Sequence, residues 1–413
     1  MERRGQSETV SASPANALRR RVGRIARGIG WLFLALMALG ALGLFVPTLP
    51  YVSVIGAALL DAVGPWVPLV LGIVAVACLW LGAVRSERRT IAMGLLAVAT
   101  TIGYAVALWE IVAAARGEGT RIDVAQTLTL RDDDGIRGSI RAFVYGRFHD
   151  ANQHVFVYPK ATHTAQTTLA PIIVYIHGGG WVSGDASMRD SNMRHFAAQG
   201  LLPITLDYAL SSDDRHLSGS TETELGCALA WIGRHAARLG GDPARIALVG
   251  ESAGGNLVLN LAYRANAGRL PSACGGVVPH IGAVAAAYPV VDPASFHDNS
   301  DAMLSEAARS MAARYVGGTP AQFPARYRAI ASATWIDRAA PPTLLLIPMH
   351  DHLVPNGPSY VFARQARAAG IAVRVVSVPY AEHAFDLAPG SVGNQLFLAT
   401  TTALLRRTVL KPR

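Results

Sequence analysis

One serine sits at the end of an apolar run and among glycines: residues 246–256 read Ile-Ala-Leu-Val-Gly-Glu-Ser-Ala-Gly-Gly-Asn. The pattern is strand, sharp turn, helix, the context in which Gly-x-Ser-x-Gly exposes a hydroxyl beside a helix N-terminus. Small residues are needed there because backbone packs against the strained turn. Ser252 is the candidate nucleophile for acyl transfer. Attack on an ester carbonyl also needs a base, a group that orients the base, and donors for the oxyanion. His383, the last histidine of the chain, lies in Pro-Tyr-Ala-Glu-His-Ala-Phe just after the final apolar run and is the candidate base. Asp351 follows the apolar run at residues 343–347. A carboxylate at the end of that strand can reach an imidazole at the end of its neighbour, which makes Asp351 the candidate orienting acid. Residues 174–181 read Val-Tyr-Ile-His-Gly-Gly-Gly-Trp. The N–H groups of Gly179 and Gly180, with that of Ala253, form the candidate oxyanion hole; Gly178 shapes the turn and His177 is expected to satisfy loop carbonyls.

Competing readings are weaker. Asp386 lies too close to His383 along the chain, and Asp337 precedes the strand that would have to present it. His350 and His352 flank Asp351, yet adjacent side chains on an extended segment point apart and no His-Glu-x-x-His occurs, so no metal is expected. Neither glycine cluster carries a phosphate-binding or dinucleotide pattern, and no organic cofactor is expected.

The elements that must position these residues follow from periodicity. Residues 121–130, 139–146 and 154–158 alternate apolar and polar side chains between Asp-Asp-Asp-Gly and His-Asp-Ala-Asn turns, and are expected to be leading antiparallel strands. Near-continuous apolar runs at 172–176, 202–206, 246–249, 283–288, 343–347 and 372–378 alternate with helix-length segments. Strands buried on both faces look like this, which gives an α/β class with a mostly parallel sheet covered by helices. Thr221 and Glu224 are placed for a capping box, with Gly240, Gly241 and Pro243 ending that helix. The helical segment from Asp292 to Trp335 falls between strands and is expected to pass over the strand ends, either as a wall or lid of the pocket or as a helix-rich connection with no role in binding.

The front of the chain differs. Of the 413 residues 51% are hydrophobic and only 16% charged, and the excess is concentrated in three stretches, about 28–46, 66–84 and 91–112, each long enough to cross a bilayer. The apolar piece at 51–60 is too short and is bounded by prolines and Asp61, so a loop or interfacial segment is expected. Residues 1–27 are an arginine-rich tail expected to be disordered. This tail and the connection bearing Arg85, Arg88 and Arg89 are expected in the cytoplasm, so that a domain spanning 116–413 faces outward from the cytoplasmic membrane. The net charge of +9 owes much to these arginines, and no basic patch interleaved with aromatics points to nucleic acid. Two buried thiols are expected at Cys227 and Cys274, although an oxidising compartment would permit a bridge.

From about Leu169 to Phe385 the chain resembles the hormone-sensitive-lipase-like esterases of the α/β-hydrolase superfamily. The residues that carry the resemblance are His177-Gly178-Gly179-Gly180-Trp181, Gly241-Asp242-Pro243, Gly250-Glu251-Ser252-Ala253-Gly254-Gly255-Asn256, Tyr288-Pro289, Pro341-Pro342, Asp351 and His383-Ala384-Phe385. It implies the α/β-hydrolase fold, with Ser252, His383 and Asp351 as nucleophile, base and acid, and hydrolysis of carboxylic esters without a cofactor. Glu251 stands where the family usually has Asp, and Tyr208-Ala209-Leu210-Ser211-Ser212-Asp213 replaces the common Tyr-Arg-Leu-Ala-Pro-Glu. The combined expectation is a membrane-anchored serine hydrolase acting on a small or lipid ester. Acyl transfer or deacylation of an envelope sugar or lipid would use the same residues, and a non-catalytic binding domain on an anchor is the reading of another class.

Overall fold

The computed structural model describes residues 14–131, 138–159 and 169–411. Its first four helices are α1 (Pro14–Phe45), α2 (Val52–Val63), α3 (Trp66–Arg85) and α4 (Arg88–Gly117). Three of them, α1, α3 and α4, contain stretches long and apolar enough to cross a membrane. Two expectations are corrected here. α1 begins at Pro14, inside the supposed disordered tail, because extending an already formed span through Ala, Leu and Arg adds a hydrogen bond per residue without a new nucleation cost. Of the loop or interfacial segment expected at 51–60, the loop is corrected: residues 52–60 belong to α2, whose 12 residues reach only about 18 Å, short of the roughly 30 Å hydrocarbon core as expected. It folds back against α1 and leads into α3.

The arginine-rich ends lie together: Arg27 pairs with Glu87 of the α3–α4 turn at 3.7 Å. At the other end of the bundle Phe45 meets the Tyr380 ring, centroids 5.3 Å apart, and Glu118 pairs with Arg374. The remainder of the chain therefore sits at the end opposite the arginines.

Residues 121–130 are not a strand. Asp123 caps α5 (Val124–Thr129) by accepting the N–H groups of Ala125 and Gln126, and the Gln395 side chain clasps Asp123 on both backbone groups. A side-chain cap with a tertiary anchor outweighs an alternation only a few residues long. The expected Asp-Asp-Asp-Gly turn lies outside the described residues. β1 (Arg141–Phe148) and β2 (Ala151–Val157) form an antiparallel hairpin through His149 and Asp150, both at positive φ.

Strands and helices then alternate: β3 (Ala170–Ile176), α6 (Asp190–Ala198), β4 (Leu202–Leu206), α7 (Thr221–Leu239), β5 (Gly241–Glu251), α8 (Ala253–Asn266) and β6 (Ile281–Ala287). After an excursion built of α9 (Pro293–His297), α10 (Ser305–Val316), α11 (Pro324–Ile330) and a 3-10 turn come β7 (Thr343–Pro348), α12 (Gly357–Ala368), β8 (Val373–Val378) and α13 (Val392–Arg407). The sheet order is β1-β2-β4-β3-β5-β6-β7-β8, antiparallel from β1 through β4 and parallel beyond. Every residue of β3, β4 and β7 is buried, as two-sided helical cover requires. This is the α/β-hydrolase arrangement that the motifs imply.

The capping box does not form. Ser220 is the N-cap of α7 without a side-chain bond, Thr221 donates to the Leu217 carbonyl, and Glu224 bonds to His149. Gly240, at φ 88°, does end the helix, but Gly241 and Pro243 already belong to β5. Cys227 and Cys274 are bridged rather than free, with Cα atoms 5.3 Å apart, which ties α7 to the loop after α8.

Candidate active site

The sheet order reverses around β3: β4 lies on one side of it and β5 on the other, so the loops after β3 and β5 open a crevice at the carboxyl ends of the strands. Ser252 follows β5 directly with φ 53° and ψ −120°, a conformation that a β-carbon disfavours and that the packed turn imposes. Gly254 permits the turn: a methyl group there would lie 2.2 Å from the Ile176 carbonyl oxygen and 2.4 Å from that of His177.

His383 and Asp351 meet the serine from the loops after β8 and β7. Nε2 of His383 is 3.0 Å from Ser252 Oγ, and Nδ1 is 2.8 Å from Asp351 Oδ2. Asp351 accepts only, so Nδ1 carries the proton and Nε2 faces the hydroxyl as an acceptor. The other oxygen of Asp351 takes the N–H groups of Leu353 and Val354 at 3.1 and 2.7 Å, which fixes its plane. Burial pulls the His383 imidazole down, but the Asp351 carboxylate and its hydrogen bond outweigh burial and leave it above its ordinary value.

The loop after β3 runs beside the serine. A methyl group on Gly178 would stand 3.2 Å from Ser252 Cβ. Gly179 at φ 101° and Gly180 at φ 60° turn the backbone, and their amides, like that of Ala253 at the start of α8, are without a hydrogen-bond acceptor among the described residues. His177 Nδ1 lies 2.8 Å from the Gly178 carbonyl, its ring stacks on Tyr208, and burial holds it below its ordinary pKa. The divergent segment after β4 braces this loop: Tyr208 donates to the His177 carbonyl at 3.1 Å and Ser211 N–H to that of Trp181 at 2.9 Å. Trp181 is fully buried, stacked on Tyr315 at 4.6 Å and edge-on to Phe296, so the glycine loop and the α9–α10 excursion pack as one wall.

Beneath the serine lies a charged cluster that sequence reasoning missed. Arg189 bonds to Glu251, Asp386 and Tyr288, and Tyr175 donates to Glu251 at 2.9 Å. Burial opposes the Glu251 charge, and the Arg189 guanidinium overrides it, holding that carboxyl below its usual range. Asp386 thus engages Arg189 and Tyr288, while Asp337 pairs with Arg269 at the surface. Arg189 carries no local signal, since only the fold brings it to Glu251.

A second missed set reaches the site from α2 and the turn before it. Glu382 accepts the N–H groups of His383 and His352 on Oε1, at 2.8 and 2.9 Å, and lies 2.5 Å from His352 Nδ1 through Oε2. Asp61 of α2 accepts the Glu382 N–H at 2.8 Å, and His352 Nε2 faces Pro47 O and Ser53 Oγ at 2.9 and 3.0 Å. Asp351 and His352 also line a cavity of about 670 Å³ shared with the turn at 47–50 and the stretch at 298–302. Among the described residues no group of His, Cys, Asp and Glu side chains could hold a metal ion.

Known proteins share this architecture. Esterase 2 of Thermogutta terrifontis, in the structure phosphonylated by sarin, aligns with 67% of this chain and 97% of its own at 21% identity and a TM-score of 0.56. In sequence the chain is 30% identical to carboxylesterase NlhH of Mycobacterium tuberculosis over 223 residues, 52% of this chain and 66% of NlhH. It is 28% identical to esterase LipQ of the same organism over 53% of this chain and 51% of LipQ. The chain thus spans between half and about two thirds of the length of these relatives. Residues 157–365, just over half of the 413, match the BD-FAE family and include the glycine loop, Ser252 and Asp351. The chain belongs to the BD-FAE family, within the α/β-hydrolase esterase group.

Proposed function

We propose that this protein is a membrane-anchored carboxylic ester hydrolase that works through an acyl-enzyme on Ser252. The observation that carries the reading is the continuous hydrogen-bonded line from Ser252 Oγ through His383 to Asp351, placed on a strained turn at a helix N-terminus. His383 Nε2 takes the hydroxyl proton as Oγ bonds to the ester carbon. The negative charge moves to the carbonyl oxygen, which the amides of Gly179, Gly180 and Ala253 receive. The C–O bond to the alcohol then breaks, and His383 returns its proton to that oxygen. In the second half His383 takes a proton from water, whose oxygen attacks the acyl carbon; Oγ leaves and is reprotonated. Asp351 holds the tautomer and stabilises the transient imidazolium.

The helices supply the anchor. The arginines gather at the end of the bundle away from the catalytic domain, which supports a cytoplasmic N-terminus and an outward-facing domain, and a bridge at Cys227 and Cys274 fits an oxidising side. The substrate is a small-molecule or lipid ester, and the chemistry needs no cofactor. Acyl transfer or deacylation of an envelope sugar or lipid is the second reading, favoured by the way the acid and base loops rest on α2 and the turn before it, next to the candidate spans. A binding domain without catalysis would have no need of the intact line.

The test is fluorophosphonate labelling of the full-length protein and of Ser252→Ala, with hydrolysis of nitrophenyl esters from acetyl to palmitoyl. Labelling and turnover should both vanish in the variant. A folded wild type that neither labels nor hydrolyses any ester would overturn the reading; product appearing on an added alcohol rather than water would favour transfer.

A further inference from the structure

In a membrane-anchored enzyme the helices need only hold the domain near the bilayer, and a flexible linker would serve. Here the membrane region instead reaches to within one residue of the base and one of the acid. Glu382 precedes His383 and His352 follows Asp351, and the Glu382 carboxylate joins the two loops by accepting from the backbone N–H of both histidines and from the His352 ring. Neither loop is held by the hydrolase fold alone. The backbone N–H of Glu382 ends on a carboxyl oxygen of Asp61, and the far ring nitrogen of His352 ends on the Pro47 carbonyl and the Ser53 hydroxyl. Ser53 donates its own proton to the Leu49 carbonyl at 2.7 Å and so presents a lone pair to His352.

Both nitrogens of His352 face acceptors, which requires the imidazolium. Burial lowers its pKa, but Glu382, the Pro47 carbonyl and Asp301 more than reverse this and bring it to about 9. The histidine is a cation wedged between the turn at 47–53 and the base loop.

We propose that the α1–α2 hairpin positions the catalytic line, with Asp61 and Ser53 as positioning residues that set His383 against Ser252 through Glu382 and His352. The inference rests on the esterase reading and deepens it, since it makes seating of the membrane region a condition of catalysis. Misplacing a reacting group by about 1 Å can cost about 10²-fold, so a loosened base loop acts on turnover while leaving the acyl and alcohol contacts intact.

The experiment uses the full chain in detergent. Asp61→Ala should lower kcat roughly 10- to 100-fold with KM little changed, and should move the acidic limb of kcat/KM to lower pH as His383 loses its tight contact with Asp351. Asp61→Asn keeps an oxygen for the Glu382 N–H and should recover most of the loss. Ser53→Ala, which removes a single acceptor, should give a smaller fall in kcat and covers the case in which Asp61→Ala does not fold. A residue that only stabilises the fold would lower the unfolding temperature and leave both kcat and the acidic limb in place. An active wild type with unchanged kcat and limb in Asp61→Ala and Ser53→Ala would overturn the inference alone. A wild type inert towards esters and fluorophosphonate would overturn the esterase reading and the inference with it.

Discussion

Replacing Asp351 by Asn tests the catalytic line most sharply, because the structure says which way the amide would face. One carboxylate oxygen receives two backbone N–H groups, from Leu353 and Val354, and the other faces His383 Nδ1 at 2.8 Å. An amide keeps both backbone bonds only if its oxygen takes the first position, which turns its NH2 towards the imidazole. Nδ1 must then accept, the proton moves to Nε2, and the ring presents a donor to Ser252 Oγ where a base is required. In the serine protease triad the corresponding wrong tautomer costs about 10⁴ in kcat, close to 5.4 kcal/mol at 1.36 kcal/mol per decade. The same order is expected here, for kcat on nitrophenyl acetate and for the rate of fluorophosphonate labelling. Since Asp351 is what raises the His383 pKa against burial, residual activity should also show its acidic limb at lower pH than the wild type, whose limb should lie above the ordinary histidine value. The sign for stability is opposite: a raised histidine pKa stabilises the fold fully below the unfolded value, and that contribution fades as pH rises through the folded one. A folded Asp351→Asn protein within 10-fold of wild type would refute the assignment of the acid.

Three further outcomes follow from contacts already described. Gly180→Ala places a methyl group 2.4 Å from Met311 Sδ of α10 at a positive φ, so activity should fall; trimming Met311 to Ala in the same chain should restore part of it, and additive effects of the two changes would exclude the contact. Breaking the Cys227–Cys274 bridge opens a loop with a sequence separation of 47, and Cys227→Ser should cost about 4 kcal/mol by loop entropy, read as a lower unfolding midpoint that reductant reproduces in the wild type. Arg189→Met leaves Glu251 and Asp386 buried without their cation and should destabilise the domain by about 3–5 kcal/mol, with thermal unfolding as the check and an unchanged midpoint as the contrary result.

What could be seen from sequence was what neighbouring residues dictate. Two-sided burial writes itself as unbroken apolar runs, so the parallel strands could be placed, and the turn around Ser252 needs small residues within a few positions of one another. Local pattern failed where a distant partner decides. Residues 121–130 alternate like a strand, but Asp123 caps a helix and Gln395 holds it there. Glu224 stands where a capping box would use it, and His149 from the β1–β2 turn claims its carboxylate. The cysteines could pair only once α7 and the loop after α8 were side by side. In sequence Asp61 is merely a charge ending an apolar stretch, since nothing near it in the chain indicates a partner more than 300 positions away.

That separation bears on when the molecule becomes active. Pro47 and Ser53 stand 305 and 299 positions before His352, and Asp61 stands 321 before Glu382. During synthesis the hairpin is made well before the two loops it holds, so the partners meet only after the strands between them have been made. A nascent chain halted before residue 383 has its serine and glycine loop but not the histidine proposed as the base. On the positioning proposed above, reactivity is withheld until the acid and base loops have closed onto the hairpin.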